Sequence, residues 1–550
     1  MIIHSKPSII MKFKTLTAFL LLASLVTAQN VNVKLRSQLK YSGQTLANIC
    51  GYVDKTGKEY ALVGASKGTS IVDISNPDAP KEVKLVTGPT SEWREIKVRG
   101  DYAYVTTEGG GGLQIINLAS LPTASGITDK SWTGNGAAAN LTSIHALHID
   151  KNFVYLYGSK LLKEGAIVAD ITDPNNPVYV GNYQSTGSGR VPYVHDGYVR
   201  NDTLYACHIF GGFVDIIDFR DKKNPKVLGL VHTPTNFSHN SWLSENSKYM
   251  FTTDENKSSF LTAYDISDPA NIKEVDRIQS NPGLNSIVHN THIIKVNGHE
   301  YAVTSWYRDG FTIVAVDRPG NLVQVGNYDT YPSGSGEGFN GDWGVFPYFP
   351  SGNIVVSNIE DGLYVFTPTY QPACYLEGTV TDSITNLPIN AATIEVVNTT
   401  LKEITKASGK YATGMAAPGG TYTVKYSATN YITKTLNNVT LSSGVLTLKD
   451  VKLLSKSYNG ISENELANVS INAYPNPFTN EITISYEFQN QISGSFLKVV
   501  DMLGRNIDQV EIDQLKGSVT LRPDVNAGVY FVSIVNGTSS SPPVKIIKTK

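Results

Sequence analysis

Four histidines, His145, His195, His239 and His289, open four successive short stretches of mixed polar and apolar residues: HALHID, HDGYVR, HNSWLS and HNTHII. Two stretches of the same kind, WREIKV and NGDWGV, carry Trp93 and Asn340 in that place, and NICGYV offers Asn48 to within one residue. Neutral imidazoles near carboxylates suit Zn, Mn, Fe, Cu or Ni. If the stretches are copies of one unit, the rings converge on a circle and form a ligand site, or a site for a divalent metal at His145, His195, His239 and His289. The same convergence has a structural reading, in which each ring bonds a backbone carbonyl of the neighbouring copy and tiles a channel. Both readings stay open at this point.

The loop that closes the next strand of each copy opens at the same end. These loops bring Glu108, His208, Asp254, Glu255, Arg308, Asp309, Glu360 and Asp361, a polar funnel of mixed charge. Glu108, His208, Asp254, Asp309 and Glu360 join the four histidines as candidate funnel residues. A second row three positions on, His148, Tyr198, Trp242, His292 and Trp343, reads as aromatic packing between copies. There is no G-x-S-x-G elbow, no H-E-x-x-H and no Walker loop, so no catalytic residue is assigned. The glycines Gly109–Gly112 lie between two strands and read as a turn.

The elements that position these residues are repeats. An apolar strand, a turn and a second apolar strand recur seven times, beginning at Tyr60, Tyr102, Phe153, Leu204, Tyr249, Tyr301 and Asn353, and the equivalent positions Asp73, Asn117, Asp170, Asp218, Asp265, Ala315 and Thr367 step by 44 to 53 residues. Period-two alternation excludes helical solenoids, and the step fits a four-stranded propeller blade. The fold class is therefore all-β: a seven-bladed β-propeller over residues 29–370, followed by two small β-sandwich domains of Ig-like or transthyretin-like type at 374–455 and 471–550, with a linker at 456–470. The last copy lacks a fourth strand, and residues 33–40 (VKLRSQLK) lack a blade. Pairing the two leaves no open sheet edge.

Composition narrows the partners. The net charge is −2, charged residues make up 17% and no basic stripe is visible, which argues against nucleic acid. Three cysteines, Cys50, Cys207 and Cys374, are no disulfide scaffold and read as buried small residues. From Met11 the chain runs MKFKTLTAFLLLASLVTAQ, a basic start, an apolar run and a small-residue cleavage site: a signal peptide over 1–28 with Met11 as the start. No later segment is long and apolar enough to span a membrane, so the mature chain is expected to have no transmembrane span.

Three resemblances add to this reading. QIINL, VDIID and TIVAV resemble the LVIVD repeat, and stretches such as HNSWL and FNGDWGVFPYFPSGNIVVSNIEDGLYVF make residues 40–370 similar to the propeller of the choice-of-anchor B family of bacteroidetes. That resemblance implies an exported surface protein and supplies no catalytic residues. From Tyr375, the Gly378-x-Val380, Ser408–Tyr411 and Gly420–Val424 motifs resemble the carboxypeptidase regulatory-like domain, which implies a module without an active site. At the C-terminus, Tyr474-Pro475-Asn476-Pro477, Asp501-x-x-Gly504-Arg505 and Lys545-x-x-Lys548 closely resemble the type A sorting domain of the type IX secretion system. It implies recognition by that translocon after passage through the periplasm. Release, or attachment to surface polysaccharide, then follows.

The function these readings favour is a secreted or cell-surface binding module, taking a protein partner, glycan or ion at the histidine-lined face. Its rivals are a metal-dependent hydrolase or lyase using the histidine ring, and a structural adhesin component.

Overall fold

The computed structural model describes residues 30–185, 193–456, 469–488, 494–537 and 539–550. The signal peptide at 1–28 and most of the linker lie outside the described residues. Apart from three single 3-10 turns, all regular structure there is strand. Among the described residues no helix is long and apolar enough to cross a membrane.

Seven four-stranded antiparallel sheets follow one another along the first two-thirds of the chain, which makes it a seven-bladed β-propeller. Their inner strands are Leu46–Val53, Arg94–Arg99, Ala146–Asp150, Asp196–Arg200, Ser238–Leu243, Thr291–Val296 and Asp342–Phe346. Six blades run through four consecutive strands. The seventh takes its outermost strand from the other end of the propeller: Val33–Leu39 pairs antiparallel with Gly362–Pro368, Val33 opposite Pro368 and Leu39 opposite Leu363.

Each strand alternates its side chains across the sheet, so every blade offers apolar residues to both neighbours. The core accordingly lies between blades. Leu62 and Ile71 of blade one pack with Ile96 and Val105 of blade two. Phe251 and Leu261 of blade five pack with Val288 and Val314 of blade six. Leu46 and Val63 of blade one meet Val355 and Leu363 of blade seven, which closes the circle. Turns between third and fourth strands are capped by their own side chains: Asn175 N–H donates to Asp173 Oδ1 at 2.9 Å and Asn176 Nδ2 to Asp173 Oδ2 at 2.6 Å. The cysteines are free and buried.

Two compact units are present. The first contains the propeller and most of the sandwich that follows it. Here Cys374–Asp382 lies between Lys410–Met415 and Leu446–Leu448 in one sheet, and Lys402–Ile404, Thr393–Val396, Gly419–Ser427 and Lys434–Ser442 form the other. Ala373 and Tyr375 belong to the same apolar cluster as Tyr301, Val323 and Phe366, so blade six, blade seven and this sandwich share a core. The second unit is built chiefly from Lys452–Lys550. Its two sheets enclose Phe478, Ile484, Leu497, Val532 and Ile546.

Candidate functional site

The innermost strands converge on the propeller axis, and the residues at their starts surround one mouth of the channel. His145, His195, His239 and His289 stand side by side there, with successive ring centroids 4.2, 4.5 and 4.2 Å apart. The arc continues to Tyr307 and Trp343, 4.7 and 5.1 Å from His289. A bulge helps to aim it. In blade five Ser238 pairs with Asp254 and Asn240 with Thr253, so His239 is the extra residue that turns toward the axis. Trp343 occupies the same extra position in blade seven, between Asp342 and Gly344. The rings, with Trp93 and Asn290, line a cavity of ≈ 20 Å³ swept by the centre of a water-sized sphere. That is room for about one water or one ion.

The polar contacts of the rings divide into outward and inward sets. His289 Nδ1 meets the main-chain oxygen of Trp343, in the next blade, at 2.5 Å. His195 and His239 face the backbone of the next histidine in the arc, His239 and His289 respectively, and their buried Nδ1 atoms stop short of a full hydrogen bond. Inward, Glu255 lies between the rings: His239 Nε2 is 3.8 Å from one carboxylate oxygen and His289 Nε2 3.7 Å from the other. Tyr307 Oη donates to Glu255 Oε1 at 2.5 Å. One ligand atom each from His195, His239 and Glu255 lies within 4.8 Å of the other two. His145 turns away from this group, its Nδ1 2.6 Å from Glu108 Oε1.

Burial sets the charge state. It drives His195 and His239 well below the usual imidazole range, helped by neighbouring histidines, and takes His289 down to about 3. Burial also pushes Glu255 up to about 7, against the Tyr307 hydrogen bond. Glu108 moves the other way, held low by its bond to His145. Near neutral pH the three inner rings are uncharged, the form in which imidazole is a ligand.

Several expectations from the repeat alignment are corrected. In blade seven the residue at the histidine level is Trp343. Asn340 lies outside, donating to Glu360 Oε1 at 2.7 Å and accepting from Arg308 at 2.6 Å. Asn48 sits one tier deeper, with Asp196, Asn240 and Asn290. The four other candidate funnel residues from these loops are engaged by their surroundings. His208 is fully buried against Asp215, Nε2 to Oδ2 3.3 Å, and stacks on Phe213. Asp254 accepts from Thr235 N–H and Oγ1 at 2.7 and 2.9 Å. Asp309 accepts from Ser280 Oγ at 2.6 Å and Gly336 N–H at 2.9 Å. Glu360 accepts from Gly341 N–H at 3.0 Å as well as from Asn340. Loop backbone and neighbouring side chains thus engage these residues, although Asp254 Oδ1 is buried without a hydrogen bond.

The candidate set takes Asp254 from its loop and leaves out Glu255, and it misses a charged second tier. Glu255 follows Asp254 directly, and adjacent residues at a strand end point opposite ways, so the pair had to be resolved by one position. The second tier carries charge. Asn48 and Lys97 both contact the Glu95 carboxylate, and Asn240 Nδ2 donates to Asp196 Oδ2 at 2.7 Å. Burial and the nearby Glu95 raise Asp196 to about 6, whereas carboxylates outweigh burial at Lys97 and raise it. Below that tier His148, Tyr198, Trp242 and His292 stack in series at 4.7, 4.5 and 4.5 Å.

Residues 57–87 and 92–124 match the LVIVD repeat, and 375–454 the carboxypeptidase regulatory-like domain. Residues 472–549 match the secretion system C-terminal sorting domain. The chain is secretion cargo. Its destination is the cell surface or the medium. The sorting motifs of this cargo hold its last domain together: Asn476 Nδ2 donates to Lys545 O at 2.8 Å and accepts from Ile547 N–H at 2.9 Å. Asp501 accepts from the Leu503 and Arg505 N–H groups at 2.9 Å each, around a turn in which Gly504 takes φ +77°. Lys548 Nζ donates to Pro523 O at 2.6 Å. Tyr474 ends the strand Val469–Tyr474, and Pro475 and Pro477 flank Asn476 in the loop that leads to the buried Phe478. No curated protein matches the chain. Among solved structures, the β-propeller domain of Cps50 (Swd1) from Myceliophteria thermophila is similar at a TM-score of 0.43 and 11% identity, over 61% of this chain and 100% of that one.

Proposed function

We propose that the propeller is the binding module of this exported protein and takes a partner or glycan on the face where the histidine arc opens. The observation that carries this reading is a rim of exposed aromatic rings around that mouth. Phe210 is 66% exposed, Phe339 58% and Trp93 40%. Phe210 stacks on Tyr193, which neighbours His195, and Phe339 packs on Tyr307, which neighbours His289. Aromatic side chains displayed around a polar depression are a recurrent feature of recognition surfaces, because they bury a large area at small entropic cost. The rigid ring of blades presents them in fixed relative positions.

The test is a screen of the full chain on glycan and surface-protein arrays, beside a Phe210→Ala/Phe339→Ala variant. Hits bound by the parent and lost by the folded variant support the reading. Hits that both bind equally move recognition to another surface. Turnover of an ester or glycoside panel that Glu255→Gln abolishes would favour the hydrolase or lyase alternative instead.

A further inference from the structure

We infer that the floor of this mouth is a site for one divalent transition ion of the zinc class, held by His195, His239 and the Glu255 carboxylate with His289 Nε2 as a fourth donor. The inference deepens the binding reading by giving the same face an ion.

The argument starts from the His289 ring. Its Nδ1 faces the main-chain oxygen of Trp343 at 2.5 Å. A carbonyl only accepts, so the proton of the neutral ring is on Nδ1 and Nε2 presents a lone pair. That lone pair points at Glu255 Oε1 from 3.7 Å, too far for a hydrogen bond, and His239 Nε2 stands 3.8 Å from Oε2. Acceptors gathered this closely in a buried place repel unless a proton or a metal ion lies among them. His195 brings a third imidazole nitrogen into the same space.

The surroundings are those of a metal site. Ligands on a tetrahedral ion with bonds of about 2.0–2.1 Å stand about 3.3 Å apart. The ligand atoms of His195, His239 and Glu255 lie within 4.8 Å of one another, and His289 Nε2, outside that set, stands 3.7 Å from Glu255, so the side chains must draw in to close on an ion. Tyr307 Oη holds the carboxylate and the Trp343 carbonyl orients the His289 ring, as outer-sphere partners do. The cavity of ≈ 20 Å³ beside the rings, lined by His195, His239 and His289 though not by Glu255, has room for about one water and for no organic ligand. Three imidazoles and one carboxylate favour zinc, cobalt, nickel or copper over magnesium or calcium, which prefer all-oxygen shells. His145 is not among the donors that converge with Glu255, and its Nδ1 is held by Glu108.

The full chain, stripped with chelator, is titrated with Zn²⁺ against a chromophoric competitor and separately with Co²⁺, whose visible bands report coordination. One equivalent is expected to bind and to raise the melting temperature. Glu255→Gln, which keeps the side-chain volume, and His239→Ala each weaken binding by about 100-fold or more, and Tyr307→Phe by about 10–100-fold. His299→Ala, a histidine paired with Asp317 at an exposed site, changes nothing. Failure of the folded parent chain to bind at micromolar free Zn²⁺ overturns the inference. So does full affinity in folded Glu255→Gln, which decides alone if His239→Ala does not fold. No partner is needed for this readout, so its failure leaves the aromatic rim standing, and failure of the Phe210→Ala/Phe339→Ala test leaves the ion standing.

Discussion

The carboxylate of Glu377, on the first strand of the sandwich that follows the propeller, receives both Nε and Nη2 of Arg318 from blade six, at 2.7 and 2.8 Å. Asn321 adds a third bond to the same carboxylate at 3.0 Å and a fourth to Thr413 O at 3.0 Å. Two parallel bonds to one guanidinium fix orientation as well as distance. The sandwich is thus docked on blade six by a polar clamp over a shared apolar core. Burial raises the Glu377 carboxyl, but the bonds from Arg318 and Asn321 prevail and hold it low. A depressed carboxyl contributes stability above its unfolded value and loses it as the pH falls through the carboxylate range. Glu377→Ala is therefore expected to speed limited proteolysis within residues 369–373 while the propeller's own melting stays in place. The parent chain should show the same sensitivity only at acid pH.

Blade four contains a fully buried histidine–carboxylate pair. Asp215 lies 3.3 Å from His208 and also accepts from Tyr183 Oη at 2.6 Å. Asp215→Ala strands these partners in the interior, with an expected loss of about 3–5 kcal/mol in a urea titration. Asp78→Ala, at an exposed pair with Arg36, leaves the midpoint where it is.

Acid lability is the third expectation. Burial, with Lys97 nearby, takes His292 from 6.5 down to about 3, and its buried Nδ1 makes no hydrogen bond. Below pH 6.5 the unfolded chain takes up a proton that the folded chain refuses, so stability falls as the pH drops from 6.5 towards 3. His292→Phe keeps the ring between Trp242 and Tyr348 and removes the proton. Unfolding measured at pH 7 and pH 4 should show roughly 3 kcal/mol less acid destabilisation in the variant.

Removal of residues 30–40 tests the closure of blade seven. It bares the edge of Gly362–Pro368, a strand otherwise paired along its length. A lower melting temperature and concentration-dependent association on size exclusion are expected. A truncated chain that stays monomeric with the parent's melting temperature would show that the pairing contributes nothing.

The repeat architecture was legible because one period-two pattern recurs with turn residues at matching offsets, and seven copies outvote the irregularities of any one. The level of an individual side chain was harder to read. Counting along a strand assumes that every residue advances the pleat, and the bulges at His239 and Trp343 each add a residue that does not. In blade seven the alignment matches Trp343 to Trp242 by residue type, three positions from the bulge that puts it opposite His239. The choice between Asp254 and Glu255 turns on which of two neighbours faces the axis, and composition does not record it. The clamp at Glu377 joins residues far apart in sequence, and no local pattern announces it.

The pairing of Val33–Leu39 with Gly362–Pro368 also puts a clock on the molecule. The earliest strand of the propeller waits for the latest before the ring can shut, so a chain emerging from its N-terminal end stays an open string of blades until nearly the whole propeller has appeared. An open string threads a narrow conduit, and a closed ring does not. For a protein that must leave the cell, the order in which its two ends meet decides where along the route it becomes rigid.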